Sequence, residues 1–138
     1  MKRVFMDTNV LLDFMCNRQG FAHDAIQIVG MAVRREIQLY VSALTMVNVK
    51  YIARKYNYRN EEIDASIMRL LEYVRVSPIT ESMIAESYSS GAPDTEDMIQ
   101  SLSGKSIGAS CVITRDPKGF GLATVPVLSP KEFLESCR

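Results

Sequence analysis

The sequence is poor in the residues that most often advertise chemistry. It holds one histidine, His23, in 138 residues, and that residue lies far along the chain from the acids discussed below. A histidine-based mechanism therefore has little support. The three cysteines, Cys16, Cys111 and Cys137, are odd in number and widely spaced, so they form neither a zinc ligand set nor a disulfide framework. An excess of charge is missing as well, because sixteen basic residues cancel sixteen acidic ones. A neutral chain cannot hold a polyanion through bulk charge, and any such site must come from local clustering. No apolar run approaches the length of a bilayer span, and Asp7 interrupts the N-terminal one before it could serve as an export signal. Together these absences predict a cytoplasmic protein with no membrane partner.

What is present is a globular composition, 47% hydrophobic and 23% charged, which predicts one domain over residues 1–138. Short β-branched runs at Lys2–Met6, Leu39–Val41, Val74–Val76, Cys111–Ile113 and Val125–Leu128 read as strands. Between them lie helical periodicities: one through Val10–Phe14 capped by Thr8 or Asn9, one over Phe21–Glu36, and one after the cap Ser42. Others cover Glu61–Tyr73, Thr80–Tyr88 and Asp94–Leu102, and Ser129-Pro130 opens a last one. Strands alternating with helices predict an α/β fold with a mainly parallel sheet covered on both faces. In such sheets the ligand site lies beyond the carboxyl ends of the strands.

That rule sorts the carboxylates. Asp7 directly follows the first strand, and Asp116 follows the Cys111–Thr114 strand after one residue, so both belong to one rim. A charge just past a buried strand costs free energy unless something pairs with it, and two ready cappers, Thr8 and Asn9, already follow Asp7. Asp97 sits in PDTEDMIQ as the third residue of a helix that Asp94 is placed to cap; first-turn dipole complementation is the plain alternative for it. Asp116 precedes Pro117, as a turn residue would. Asp13 falls in the last turn of the first helix, where an acid needs some other partner. Gathered on one rim, Asp7, Asp97 and Asp116 would repel each other without a compensating cation. Oxygen ligands with scarce histidine and cysteine point to magnesium or manganese, which can activate water for attack on a phosphodiester.

The ordered series MDTNVLLD, YVSALTMVNVKYI, PDTEDMIQSLSGKSIGASCVITRDPKGF and VPVLSPKEFL resembles the PIN-domain family of metal-dependent nucleases over nearly the whole chain. The resemblance implies a three-layer α/β/α domain with an acidic pocket at the carboxyl rim of its sheet. It implies Mg2+- or Mn2+-dependent endonucleolytic cleavage, most often of single-stranded RNA. Asp7, Asp97 and Asp116 match the family's metal-binding, catalytic acids, with Thr8 and Asn9 shaping the pocket, Thr114 as the neighbouring hydroxyl and Asp94 as an accessory acid or a cap. The second acid of the family, usually a glutamate, falls at Asn48; its amide oxygen can still ligate a hard cation but removes one negative charge. Many relatives are toxin ribonucleases that pair with a small antitoxin and form homodimers.

The helix carrying Asn48 also bears Lys50, Arg54 and Lys55 among tyrosines, and Arg115 adds charge near Asp116. Cations on phosphates with tyrosines stacked on bases would suit an RNA path, and a solvated helix face is the equal alternative. A phosphatase using Asp7 as nucleophile would need an aspartate two residues on, where Asn9 stands. A nucleic-acid-binding or interaction module silenced by Asn48 is the reading that competes with the nuclease.

Overall fold

Alternation of side chains along three short strands builds the two cores of this protein, as a computed structural model covering residues 1–121 and 123–138 describes it. In β1 (Arg3–Met6), Val4 and Met6 point to one face and Phe5 to the other. Strand β2 (Gln38–Ser42) repeats this with Leu39 and Val41 against Tyr40, and β4 (Cys111–Ile113) with Cys111 and Ile113 against Val112. With β3 (Val74–Ser77) and β5 (Val127–Leu128), the five strands pair in the order β3-β2-β1-β4-β5, all parallel. Both faces carry apolar residues because both are covered, as the sequence pattern requires of a parallel sheet.

The larger core lies under α1 (Thr8–Met15), α2 (Ala22–Val33), α3 (Ala43–Arg54), α4 (Asn60–Leu70) and α7 (Pro130–Ser136). Leu11, Ala25, Ile28, Val49, Ile63 and Phe133 fill it with almost no exposure. The opposite face is covered by α6 (Thr95–Ser106), with α5 (Glu81–Ser89) packed beside it and a short 3-10 turn at Pro117–Phe120 closing one end. Helix α6 approaches β1 closely because Gly104 faces Phe5; a Cβ at that position would stand 3.0 Å from the ring. The layers are therefore helix, sheet, helix. Among the described residues no helix is long and apolar enough to cross a membrane.

Element boundaries shift little from the sequence expectations, and each shift has a local cause. The predicted Glu61–Tyr73 helix runs from Asn60 to Leu70, and Val74 opens β3 as expected, paired with Leu39. The last strand shrinks from Val125–Leu128 to Val127–Leu128, Val125 packing against the smaller core. The larger correction concerns Asp7. Helix α1 begins at Thr8, so Asp7 occupies the capping position that the sequence assigned to Thr8 or Asn9.

Candidate functional site

Parallel pairing of β1 with β4 sets Met6 beside Ile113, so the residues that leave the two strands emerge together. The Asp7 N–H donates to the Ile113 carbonyl at 2.9 Å, which fixes the backbone at that exit. The residue is 8% exposed, and each carboxylate oxygen accepts one hydrogen bond. Oδ1 accepts from the Thr8 N–H at 2.8 Å, and Oδ2 accepts from the Thr114 hydroxyl at 2.8 Å. The Thr114 oxygen in turn accepts the Asp116 N–H at 3.0 Å, so one hydroxyl ties two acid-bearing segments together. Burial raises the pKa of Asp7 above the usual carboxylate range; the Thr114 and Thr8 hydrogen bonds oppose that, and the charges of Asp116 and Glu96 add to it.

Asp97 reaches the same rim from the first turn of α6. The capping role of Asp94 holds: its Oδ1 accepts the Asp97 N–H at 3.0 Å. Asp97 is pushed up to about 6, first by burial and then by Asp94, Asp7, Asp116 and Glu96 in turn. Three of these four neighbours are acids that the sequence reading already singled out. Glu96, in the same first turn, also acts on Asp7. Among the described residues no ion pair involves Asp7, Asp97 or Asp116.

Gly119 is a second contributor the sequence did not disclose. It sits in the 3-10 turn after Asp116 with its α-carbon against the Asp97 carboxylate. A Cβ there would overlap the acid, standing 2.7 Å from its Cγ. The lack of a side chain at residue 119 is thus what leaves room for Asp97 in this position. Beside it opens a cavity of about 470 Å3 walled by Pro93, Asp94, Met98, Ser101, Lys118 and Gly119.

The remaining expected residues are distributed more widely. Asn48 is half-buried on α3, one turn beyond the buried Thr45. Asn9 accepts the Arg115 N–H at 3.4 Å. Arg115 itself forks onto Asp13, at 2.6 and 3.0 Å, and lies 3.9 Å over the Phe21 ring. Lys50 pairs with Asp64 at 2.9 Å, Lys55 lies 4.8 Å over the Tyr51 ring, and Arg54 is exposed. Arg115, Lys50 and Lys55 thus have partners within the protein, and any contact of theirs with phosphate would compete with those partners.

The donor chemistry suits a hard divalent cation, since the rim offers carboxylate oxygens and neither thiolate nor imidazole. Among the described residues, however, no three acids, histidines or cysteines stand close enough to form a ready ligand set. The arrangement fits an ion held by one or two carboxylates and completed by water, which is the habit of magnesium.

Comparison with known proteins agrees with this geometry. No curated protein sequence matches the chain. Several solved structures share its fold. A toxin–antitoxin complex from Klebsiella pneumoniae has 22% identity and a TM-score of 0.66, covering 92% of this chain and 97% of that one. FitAcB from Neisseria gonorrhoeae has 21% identity and a TM-score of 0.67 over 93% and 98% of the two chains. VapC20 from Mycobacterium tuberculosis, a sarcin-ricin loop cleaving toxin, has 13% identity and a TM-score of 0.65 over 86% and 95%. The profile of the PIN domain family matches residues 3–118, from the start of β1 into the turn that carries Asp116. With that match spanning all three rim acids, the chain belongs to the PIN domain family.

Proposed function

We propose that this protein is a divalent-metal-dependent endoribonuclease that hydrolyses phosphodiester bonds of single-stranded RNA. The observation that carries the reading is the gathering of Asp97 with Asp7 and Asp116, acids from two other segments that help to raise its pKa, while among the described residues no cation of the protein pairs with any of the three. Such a rim is electrostatically costly until a cation arrives, and structural ion-pair networks do not leave that deficit. Asp7, Asp97 and Asp116 would hold Mg2+ or Mn2+, one or two of them directly and the rest through its waters, with the Asn48 amide oxygen as a neutral addition to the set. When bound, the ion supplies Lewis acidity at the phosphodiester and lowers the pKa of water. The protein's own part is positional. Thr114 holds Asp7 and the Asp116 backbone in register, Asp94 sets the first turn of α6, and Gly119 leaves space for Asp97.

The likeness to toxin–antitoxin complexes supports a toxin role with a small antitoxin as partner. Exposed Val47 and Tyr51 on α3 and Tyr88 on α5 supply apolar surface for a second copy or for that partner. Asn48 favours a second reading, a binding module with little or no turnover, because the pocket has one acid fewer than the family pattern. One experiment separates them: purified protein and Asp7→Asn are incubated with single-stranded RNA and Mn2+ or Mg2+. Cleavage by the wild type that falls at least a thousandfold in the variant is the expected result. Equal cleavage by both sinks the nuclease reading, and Asp7-dependent RNA binding without cleavage selects the module.

A further inference from the structure

Beneath the rim runs a buried web of hydroxyls and an amide that joins the three helices behind the acids. Gln100, 2% exposed, stands one turn after Asp97 on α6. Its Nε2 donates to Thr8 Oγ1 and to Thr45 Oγ1, both at 3.0 Å. The two threonine oxygens are 2.7 Å apart, and the Ser42 hydroxyl donates to Thr45 Oγ1 at 3.2 Å. Thr8 directly follows Asp7 and Gln100 stands one turn after Asp97, so the web lies behind two of the rim acids.

Counting hydrogens fixes a direction that the distances alone do not. A hydroxyl oxygen accepts two hydrogen bonds and donates one. Thr45 Oγ1 already accepts from Ser42 and from Gln100, so in the 2.7 Å contact it must be the donor to Thr8. Thr8 Oγ1 then accepts from both Thr45 and Gln100, and its own hydrogen has no acceptor in the web. Nor does that hydrogen return to the amide, because Gln100 Oε1 has no hydrogen-bond partner among the described residues. The reverse amide orientation would place two hydrogens at that same unpartnered position. Thr8 is partly exposed and directly follows Asp7, and among the described residues its hydroxyl has no hydrogen-bond partner besides Thr45 and Gln100.

From this we infer that the Thr8 hydroxyl is a directed hydrogen-bond donor to a non-bridging phosphate oxygen of the substrate, with Gln100 and Thr45 as positioning residues that turn its hydrogen outward. The inference rests on the phosphodiester reading above. An acidic pocket repels a phosphate, so a fixed neutral donor inside it discriminates strongly for the charge that develops there during attack. Donors so placed contribute about a hundredfold or more to turnover when they act on the transition state.

The test compares wild type, Thr8→Val, Thr8→Ser and Gln100→Met on a single-stranded RNA oligonucleotide, with Mn2+ affinity measured by calorimetry and folding by thermal melts. Thr8→Val is expected to lower kcat about a hundredfold while KM and Mn2+ affinity stay within about threefold. Thr8→Ser should recover most of that loss, because it restores the donor. Gln100→Met frees the Thr45–Thr8 bond to reverse and should lower kcat partially, about three- to tenfold, with no further loss in a Thr8→Val background. If Thr8→Val does not fold, the partial loss in Gln100→Met at unchanged Mn2+ affinity carries the test. Unimpaired, Asp7-dependent cleavage by Thr8→Val overturns this inference alone. A parallel loss of Mn2+ affinity overturns it too, by assigning Thr8 to the support of Asp7. Absence of any Asp7-dependent cleavage by the wild type overturns both this inference and the nuclease reading.

Discussion

Two acidic regions of this molecule stand a few residues apart and have opposite electrostatics. Asp13, at the end of α1, is fully buried, yet its carboxylate is gripped by Arg115 at 2.6 and 3.0 Å and by Arg18 at 3.4 Å. Phe21 and Tyr56 back the two guanidinium groups at 3.9 and 5.1 Å. The rim acid Asp97 is more exposed and should ionise more easily on that ground, but its neighbours are Asp94, Asp7, Asp116 and Glu96, and it is pushed up to about 6. Burial is the first cause of that rise, and the surrounding acids add to it. Asp13 is buried more deeply, but the fold sets opposite charge against it, which the rim lacks among the described residues.

The contrast can be broken most severely at its compensated end. Asp13→Ala strands two partly buried guanidinium groups and should cost about 3 kcal/mol of stability in urea denaturation. A loss below about 1 kcal/mol would mean that solvent already screens the cluster. At the rim, Gly119→Ala should displace the Asp97 carboxylate and weaken Mn2+ binding roughly tenfold, the scale of a support residue in a metal site. Calorimetric affinity equal to wild type would show that Asp97 moves aside without consequence. Asn48→Glu adds a negative charge to the α3 side of the rim; Mn2+ affinity should rise by about fivefold while the metal-free protein melts lower. A variant that binds no tighter would place residue 48 outside the ion's reach.

The smallest expected effect is in pH dependence. Because the folded pKa of Asp97, about 6, lies above the ordinary 3.8, the native state holds that proton more tightly than the unfolded chain. The associated stability is fully present below the ordinary value and is lost as pH rises through the folded one. Asp97→Asn should therefore raise the metal-free melting temperature at pH 7 by roughly 2 °C, the gain vanishing by about pH 4. Melts across that range check it, and a gain that persists in acid would trace to something other than charge. Mn2+ affinity should run the other way, falling as pH drops below about 6, because the ion must then displace the Asp97 proton to bind.

Much of the fold was legible because strand alternation and helical periodicity are local. The rim location of Asp7 and Asp116 followed from one topological rule, and the Asp94 cap from position alone. Misreadings occurred where local chemistry was ambiguous: three consecutive cappers at Asp7, Thr8 and Asn9 hid which one starts α1. What stayed hidden were side-chain contacts between distant segments. Gly119 against Asp97, Arg115 on Asp13 and Gln100 on Thr8 and Thr45 each depend on packing that no window of sequence contains. A faint signal existed for the last, since Gln100 and Thr45 each stand one helical turn from a rim residue.

The pairing of Met6 with Ile113 has a consequence for the life of the chain. Strand β1 is synthesised before β4, and the hydroxyl that steadies Asp7 belongs to residue 114, a sequence separation of 107. Contacts of such long sequence separation form late and slowly. A growing chain that has not yet added β4 therefore carries Asp7 without the partner that fixes it, and any nuclease activity would have to wait until that strand has been made. Delay of this kind is a safeguard written into strand order itself.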